Sequence, residues 1–403
     1  MKRVVVTGVG AVTACGIGAD ALWNAAHEGR TGVGPVHFPE LARQMVNSAA
    51  MIAASDMDRV WAGARPRLQD QVSALALAAA REAVSHARLD EGDFGHRCGV
   101  VVGSGYGGAQ TSEINMTLAA RDPGARADPM CIPKVMTSAP ASWIGMEFGA
   151  TGPTWCVSTA CASGTQSIGL AFQMIRSGMV DRVLAGGSEA LLVPNVFRAW
   201  ELMRVMSAKA CRPFSKGRDG MVLGDGAAVV VLESLDAALA RGADILCEVS
   251  GFGTTGDADD LLRPSPDGAA GSMLAALADA GLSPGDIGYV NAHGTGTIIN
   301  DKSETEALRM VFGEQLADVA VSSTKPIHGH ALGAAGAIEF VITVAALRAR
   351  MAPPTINFLE IDDKLGIDPV ANVARPFSRD ACLSNSFAFG GINATLALKG
   401  FVQ

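Results

Sequence analysis

The segment VTGVG at residues 6–10 recurs as VSGFG at residues 249–253. In the same order along the chain, LDEGDFG at 89–95 recurs as LSPGDIG at 282–288. Each member of this second pair follows an Ala-rich helical pattern and precedes a strand-like run that ends in Gly-x-Gly. Matching segments in matching order predict an internal duplication of one structural unit.

A third pair, VSTACASG at 157–164 and VSSTKPIHGHALG at 321–333, is predicted in both cases to form a strand, a tight turn and a small-residue helix. Strand-like and helix-like runs alternate along the chain, which indicates an α/β layered fold. Chance similarity of glycine-rich loops is the weaker explanation, because order and context also match. We expect the boundary near residue 245, with one unit over 1–245 and the second over 246–403.

The composition limits the class of protein. Of the 403 residues, 49% are hydrophobic and 18% are charged, which is enough apolar material for a large core. Lys and Arg number 32 against 40 for Asp and Glu, so the formal net charge is −8. This balance excludes a nucleic-acid binder driven by overall charge, and 5% aromatic residues argue against a platform for stacking bases.

Cysteine usage and the apolar segments favour a cytoplasmic protein. None of the eight cysteines forms a Cys-x-x-Cys pair, which disfavours a thiolate zinc site. Thr7 and Gly8 interrupt the N-terminal apolar run after three valines, so we predict a buried strand there and no export signal. The longest apolar stretch, about 331–347, contains Glu339 and several glycines, and we expect it to be too short to span a bilayer.

Cys161 lies between a predicted strand that ends near Thr159 and a helical period that begins just after it. A thiol at a helix N-terminus faces a partial positive charge, which can lower the thiol pKa and populate the nucleophilic thiolate. The small neighbours of Cys161 leave space for an acyl thioester. A buried cysteine that serves packing alone is the alternative interpretation.

His293 in NAHGTGT and His330 in STKPIHGHALGAAG lie where strands of α/β sheets give way to functional loops. They are 132 and 169 residues from Cys161, so only folding could bring the three together. Either histidine alone would more often be structural. His328, two residues before His330, is either a supporting group or exposed.

Lys325 precedes a proline after a strand-like run, where a lysine is usually solvated. It could instead be held inward by Glu339, fourteen residues later, as a buried pair. Phe389 and Gly390 in SNSFAFGGIN form a loop where backbone N–H groups can approach a ligand oxygen. A glycine turn beside a core phenylalanine is the simpler interpretation of this loop.

The run Gly103-Ser-Gly-Tyr-Gly-Gly108 follows a strand and satisfies Gly-x-Gly-x-x-Gly, the pattern of a dinucleotide site in a reductase. The acidic residue at the required distance, Asp122, is flanked by Arg121 and Pro123. It does not end a second strand, as ribose recognition requires. We therefore disfavour a nicotinamide site.

Several motifs together resemble those of the β-ketoacyl-[acyl-carrier-protein] synthases, specifically the elongating Cys-His-His type of fatty acid and polyketide synthesis. These motifs are TACASG, NAHGTGT, STKPIHGHALGAAGAIE, SNSFAFGGIN, TGVGAVTACG at the start and CRPFSKGRDGMVLGDGAA at 211–228. The resemblance covers nearly the whole chain. It implies the thiolase fold, in which two similar halves form five α/β/α/β/α layers, usually in a homodimer.

The resemblance implies a decarboxylative Claisen condensation, in which an acyl group on Cys161 reacts with malonyl carrier protein to give β-ketoacyl carrier protein. It implies that His293 and His330 stabilise the enolate and that Lys325, with Glu339, supports them. The backbone N–H groups of Cys161 and Phe389 would form the oxyanion hole.

The resemblance also assigns parts of the chain to the substrate. Thr295 and Thr297 match positions that contact the phosphopantetheine arm, and Phe389, beside Gly390, matches a gate that opens for the acyl chain. No metal or other cofactor is expected, because decarboxylation drives the reaction and the arm arrives on the carrier protein.

Two departures from the family pattern suggest a specialised pathway. DDLLRPSPDG at 259–268 replaces the usual His-Met-Thr stretch and places Leu262 where a threonine contacts the arm. Tyr106 stands where a smaller apolar residue usually lines the acyl pocket. We expect Tyr106 to shorten that pocket or to suit it to an unsaturated or aromatic primer, unless its ring only packs elsewhere.

The expected partner is an acyl carrier protein, loaded with an acyl or a malonyl group. Arg65 and Arg67 match a carrier-docking region of the family, and a second basic run lies between 198 and 218. A solvated charged surface is the alternative for each of these residues.

Two relatives of the expected enzyme are alternatives. A thiolase would carry a second cysteine in the late glycine-rich loop, which SNSFAFGGIN lacks; Cys382 lies before it. A non-catalytic partner of the chain-length-factor type would lack the nucleophile, although a heterodimer with such a partner stays possible.

Overall fold

The structure is a computed structural model and describes residues 1–401. Within that range the helices are α1 (Ala19–Glu28), α2 (Ala54–Ala62), α3 (Gln71–Ala87), α4 (Ala109–Arg121), α5 (Cys131–Val135), α6 (Ala139–Phe148), α7 (Ser163–Arg176), α8 (Pro194–Leu202), α9 (Leu235–Ala240), α10 (Pro266–Ala280), α11 (Ile298–Phe312), α12 (Lys325–His328) and α13 (Ala335–Ala349). The strands are β1 (Val4–Thr13), β2 (Gly16–Ile17), β3 (Gly34–Pro35), β4 (Ser48–Ala49), β5 (Cys98–Gly103), β6 (Thr154–Val157), β7 (Arg182–Glu189), β8 (Gly226–Ser234), β9 (Cys247–Gly256), β10 (Ile287–Asn291), β11 (Ala320–Ser322), β12 (Met351–Ala352), β13 (Arg375–Pro376), β14 (Ala381–Ala388) and β15 (Ile392–Lys399).

The glycines of the first repeated segment have a packing cause. A Cβ at Gly8 or Gly10 of β1 would overlap backbone atoms of α3, and a Cβ at Gly251 or Gly253 of β9 would overlap backbone atoms of α10. Only glycine lets a helix backbone lie this close to a strand. The repeat therefore records two equivalent strand–helix contacts, one in each half of the chain.

Ten strands of the main sheet run in the order β11-β10-β14-β15-β9-β1-β8-β7-β5-β6, and β2 pairs with β1 in addition. If the five strands of each unit are numbered in chain order, both units run 1-5-4-2-3 from the centre to the edge. The units meet where β1 pairs antiparallel with β9, with Val4 opposite Val249. This mirrored order confirms the predicted duplication.

The helices form three layers around the strands. Helix α3 packs on β1 and β8 on one side, and α10 packs on β9 and β15 on the other. Between the halves, α7 and α13 pack against each other and share one apolar core with strands of both units. The five-layered α/β/α/β/α fold is confirmed, whereas the boundary near residue 245, in the loop between α9 and β9, stays a prediction.

One apolar segment, Leu332–Ala349, is long and apolar enough by composition to cross a membrane, contrary to the expectation that it is too short. It comprises α13 and the turn before it, and 83% of it is buried inside the fold. Its apolar character is accounted for by its place in the central layer, where most of its residues pack against other parts of the fold.

Candidate active site

Cys161 lies in a short 3₁₀ turn, Ala160–Ala162, that leads into α7. Ala160 has a φ of 48°, a left-handed conformation that is costly for a residue with a side chain. The hydroxyl of Ser163 accepts a hydrogen bond from the Thr159 N–H at 2.8 Å and donates one to the Ala160 carbonyl at 2.6 Å. These bonds stabilise the sharp turn that presents the thiol.

The structure brings Cys161 together with both predicted histidines. The Cys161 Sγ lies 3.1 Å from the His330 Nε2, and the rings of His293 and His330 meet edge to face with centroids 5.5 Å apart. The backbone N–H of His330 donates to the Val222 carbonyl at 2.7 Å, which fixes the backbone at this position. All three side chains are buried.

The thiol pKa differs from the sequence-based expectation. Burial raises the pKa of Cys161 to about 12, and the nearby Lys325 only partly opposes this change. The predicted lowering at a helix N-terminus is therefore wrong for the free protein. The physical reason is that the thiol is enclosed by the fold and also faces the Glu189 carboxylate, which further disfavours a thiolate.

The two histidines are neutral for a related reason. Burial, followed by the positive charge of Lys325, holds the pKa values of His293 and His330 well below the ordinary range. His328 is also buried, and burial lowers its pKa to about 3. Its Nε2 lies 3.0 Å from the Thr324 hydroxyl and 4.0 Å from Glu339, so it contacts the supporting groups and not solvent.

Lys325 is held inward, in the second of the two arrangements considered from the sequence. Its Nζ lies 2.5 Å from the Glu339 Oε1, and both side chains are fully buried. The same Nζ donates to the His293 carbonyl and lies 3.3 Å from the His293 Nδ1. Because an ammonium can only donate, the His293 Nδ1 accepts, and the proton of the neutral ring is on Nε2.

The His293 loop depends on a carboxylate that the sequence analysis missed. Glu304 on α11 accepts from the backbone N–H of His293 at 2.8 Å and of Gly294 at 2.7 Å. An acidic residue nearly two turns into the helix that follows a histidine loop was the available signal. It was overlooked because many such helical acids are solvated.

Phe389 and Gly390 lie at the tip of the hairpin between β14 and β15. The Phe389 ring stacks on Trp200 at 6.0 Å between centroids, a contact absent from the sequence-based prediction. The Gly390 N–H donates to the Leu261 carbonyl at 2.8 Å. Among residues 1–401, no backbone carbonyl accepts from the N–H of Phe389 or of Cys161, and the Cys161 N–H bonds to its own sulfur.

A cavity of about 360 Å³ leads to this group of residues. Cys161, His293 and His330 lie on its wall with Phe389. Thr295 and Thr297 also contribute to the wall, and their hydroxyls lie 2.9 Å apart. The exposed side chains of the 259–268 segment and of the start of α11 surround the mouth, namely Leu261, Leu262, Ile298 and Ile299.

Three predicted residues lie apart from this cavity. Tyr106 is 51% exposed and is absent from the cavity wall, because its backbone N–H bonds to Glu189 while its ring meets solvent. Arg65 and Arg67 are exposed in the loop between α2 and α3. The Arg65 guanidinium lies 5.6 Å from the Trp143 ring centroid.

The glycines at the two ends of the run 103–108 have a packing cause. A Cβ at Gly103 would overlap the backbone at Ser163, and one at Gly108 would overlap the backbone at Lys134. Close packing of backbone on backbone therefore accounts for these two glycines without a dinucleotide.

The reactive groups also satisfy one geometric condition of a metal site. The ligand atoms of Cys161, His293 and His330 all lie within 4.8 Å of one another, and one thiol with two imidazoles is a donor set that Zn²⁺ accepts. However, the ammonium of Lys325 already occupies the second ring nitrogen of His293, where a metal-bound histidine usually donates to an oxygen.

A buried thiol at a helix start, two neutral imidazoles and a buried lysine on a duplicated five-layered fold define a condensing enzyme of the Cys-His-His type. The chain belongs to the β-ketoacyl synthase family: residues 1–238 match the family's N-terminal domain and residues 246–359 its C-terminal domain. It is an acyltransferase of that family, a β-ketoacyl synthase.

Relatives over the full length support this assignment. The chain is 43% identical to nodulation protein E of Rhizobium sp. (strain N33) and 38% identical to 3-oxoacyl-[acyl-carrier-protein] synthase 2 of Staphylococcus aureus (strain N315), with 99% of each chain covered in both cases. The solved structure of the ishigamide ketosynthase/chain length factor superposes with a TM-score of 0.94 at 34% identity, covering 100% of both chains.

Proposed function

We propose that this enzyme transfers an acyl group to Cys161 and condenses it with a malonyl thioester, with loss of CO₂. The observation that carries the proposal is the 3.1 Å approach of the Cys161 Sγ to a neutral His330 at the inner end of the cavity, with the His293 ring beside it. Nucleophile, proton acceptor and carbonyl-binding donor are thereby available at one point.

In the first step the Cys161 sulfur attacks the acyl thioester, and the bond to the carrier thiol breaks. Because burial keeps the thiol protonated, its proton must leave during the attack, and the His330 Nε2 is the nearest acceptor. The proton then passes to the departing carrier thiolate. The backbone N–H groups of Cys161 and Phe389 stabilise the oxyanion of the tetrahedral intermediate.

In the second step the malonyl thioester binds with its carbonyl oxygen at the histidines. The His293 Nε2–H, fixed by Lys325 at the other ring nitrogen, donates to that oxygen as the enolate forms. CO₂ leaves, the carbanion attacks the acyl carbon on Cys161, the bond between that carbon and Sγ breaks, and the released Cys161 thiolate takes up a proton from solvent. Lys325 adds a positive charge close to the developing negative charge, and Glu339 keeps that ammonium in place.

The cavity receives the phosphopantetheine arm of an acyl carrier protein, and the enzyme needs no metal or other cofactor of its own. The two threonine hydroxyls of the wall, at 295 and 297, are the polar contacts for the arm. The curated relative from Staphylococcus aureus is named for an acyl-carrier-protein substrate, which supports this partner. Metal analysis of the purified enzyme, and activity after chelation, test the cofactor claim; loss of activity on chelation contradicts it.

The carrier docks on a local basic surface, because the chain as a whole carries a net charge of −8. Arg65 and Arg67 are exposed for this contact, and Arg204 and Arg263 lie at the cavity mouth. We expect the reaction rate to fall steeply with salt when the carrier protein is the substrate, but not with a small acyl thioester. Equal salt dependence for both substrates would contradict docking by charge.

The enzyme forms a homodimer through the free edge of β6 and functions in the cytoplasm. Eight large apolar side chains between residues 106 and 155 are exposed, including Trp155 on β6 itself, which ends the sheet. Such an edge invites pairing with a second copy. Light scattering should give about twice the monomer mass, and Trp155→Arg should halve it; a monomeric wild type contradicts the dimer.

The test of the function as a whole is intact-mass analysis after incubation with a panel of acyl carrier proteins or acyl thioesters. The wild type should gain the mass of one acyl group, and Cys161→Ser should gain none. Cys382→Ala, which removes a buried cysteine of β14 remote from the cavity wall, should be acylated like the wild type. Acylation of Cys161→Ser would overturn the proposal.

A further inference from the structure

Glu189, the last residue of β7, is a buried carboxylate beside the reacting thiol. It is fully buried, and its environment consists of hydrogen-bond donors without a cationic partner. Four donors converge on it: the Gly105 N–H at 2.7 Å, the Gly333 N–H at 3.0 Å, the Tyr106 N–H at 3.1 Å and the Ser104 hydroxyl at 3.2 Å. A carboxylate that accepts four bonds and bonds to no cation has a specific structural task.

These donors come from the two loops that flank the reactive pair. Gly105 packs against the Cys161 turn, since a Cβ there would lie 3.8 Å from the Cα of Ala160. Gly333 lies three residues after His330, in the turn before α13. We propose that Glu189 is a positioning residue for the condensation: its carboxylate connects the loop beside Cys161 to the turn after His330, and so sets the approach of the thiol to the imidazole.

The two loops meet in close packing around Glu189. A Cβ at Gly333 would overlap the Gly105 N and lie 2.7 Å from the Glu189 Oε2, and a Cβ at Gly187 would lie 2.5 Å from the Gly333 carbonyl. Backbone therefore meets backbone at this point, and the carboxylate is the side chain that satisfies the converging N–H groups. Loss of its acceptor oxygens would separate them.

The negative charge gives the position a second, measurable effect. Glu189 raises the pKa of the Cys161 thiol, whereas Lys325 lowers it. Replacing the carboxylate by an uncharged amide should therefore lower the thiol pKa, in addition to disturbing the geometry. A role in folding alone would not link this residue to the ionisation of Cys161.

The experiment compares Glu189→Gln and Glu189→Asp with the wild type in the full-length enzyme. The readouts are kcat and KM for condensation, and the pH profile of iodoacetamide alkylation, with labelling of Cys161 located by peptide mass spectrometry. Both variants should lose about 10- to 100-fold in kcat with little change in KM, because the reacting atoms are displaced. Only Glu189→Gln should lower the alkylation midpoint, by about 1 pH unit.

The matched control is Glu82→Gln. Glu82 on α3 also accepts two backbone N–H bonds, from Ala11 and Ala19, but it is absent from the cavity wall and from the groups that influence Cys161. It should leave kcat and the alkylation profile unchanged. Wild-type behaviour of Glu189→Gln, or equal shifts of the thiol midpoint in Glu189→Gln and Glu189→Asp, would overturn the proposal.

If both Glu189 variants fail to fold, Ser104→Ala removes one donor and leaves the backbone intact. It should lower kcat about two- to fivefold, the cost of a buried hydrogen bond of about 1 kcal/mol or less, and an unchanged kcat would overturn the proposal. The inference rests on the proposed function, but the two fail separately. Alkylation reports on Glu189 even if the wild type makes no condensation product, and such a result counts against the proposed function alone.

Discussion

The two units share one scaffold but differ between the third strand and the central helix. In the first unit, β6 ends at Val157 and the nucleophile turn starts at Ala160, so two residues intervene. In the second unit, β11 ends at Ser322 and the equivalent turn starts at Leu332, so residues 323–331 intervene. That longer segment contains α12, with Lys325, and ends one residue after His330.

The two turns themselves are close copies. Ala160 has a φ of 48° and Leu332 a φ of 36°, and each begins a 3₁₀ turn of three residues that leads into the central helix. Cys161 occupies the middle of the first turn and Gly333 the middle of the second. The first unit therefore supplies the nucleophile, Cys161, from the turn itself. The second unit supplies the ammonium of Lys325 and the imidazole of His330 from the added segment, and its own turn contributes a glycine with no side chain.

The largest effect should come from breaking the buried ion pair of the added segment. Lys325→Met leaves Glu339 buried without a partner, which should cost about 3–5 kcal/mol of the free energy of unfolding. The double variant Lys325→Met/Glu339→Leu should recover most of that stability and still lack condensation. Chemical denaturation and product analysis measure the two outcomes; full activity in the double variant would show that the cation is dispensable.

Next in size is the effect of removing the His293 ring. His293→Ala should lower the condensation rate by about 10²–10³-fold, because one preorganised donor to the enolate is lost. Acylation of Cys161 should persist, since the His330 Nε2 still lies beside the Sγ. Intact mass and product formation are measured in one sample, and an equal loss of both steps would contradict this division of work between the units.

The sequence allowed the duplication to be predicted because its cause is local. The glycines at 8, 10, 251 and 253 are required where a helix backbone contacts a strand, so their spacing survives in both units. The three reactive residues were identifiable from their motifs. Which way the thiol pKa moves was not predictable, because the enclosing groups come from distant parts of the chain, such as Glu189 of β7.

Contacts between side chains far apart in sequence were also beyond prediction. Trp200 gave no sign that it stacks on Phe389, whereas the bond from Glu304 to the His293 loop had only a weak signal in the place of Glu304 on the helix that follows. Tyr106 shows the reverse case, since its place in the sequence suggested a wall of the cavity and its ring is exposed. The position of a residue in a motif therefore predicts its backbone conformation better than it predicts what surrounds its side chain.

The pH dependence of stability should be similar in the two units. Burial raises the pKa to about 7 for carboxyls that have no bonded cation in each unit, namely Glu189 and Asp225 in the first and Glu304 in the second. In each case the folded state keeps a proton that the unfolded chain releases near pH 4. This contribution to stability is therefore complete at low pH and is lost as the pH rises through 7.

Denaturation at pH 5.5 and pH 8 tests this expectation. The free energy of unfolding should fall over this range, by on the order of 1–3 kcal/mol for each carboxyl. Asp225→Asn and Glu304→Gln should each remove a comparable part of the dependence. A stability that does not fall with pH over this range would mean that these carboxyls are ionised throughout.

The smallest effect should come from the strained first residue of the nucleophile turn. Ala160→Gly keeps the backbone path and removes the clash of a Cβ at positive φ, which stabilises the folded state. The greater freedom of glycine in the unfolded chain opposes this gain. We expect a net gain of about 0.5 kcal/mol in the free energy of unfolding. The Ser163 bonds that hold the turn remain, so acylation of Cys161 should continue.

The same change in the second unit should have the opposite sign. Leu332→Gly also relieves a positive φ, but it deletes a largely buried side chain from the core around the cavity, and the lost packing outweighs the strain. Thermal denaturation of both variants side by side therefore separates backbone strain from packing at equivalent positions. Destabilisation by Ala160→Gly would show that the left-handed turn is not strained, and that the two turns are alike only in outline.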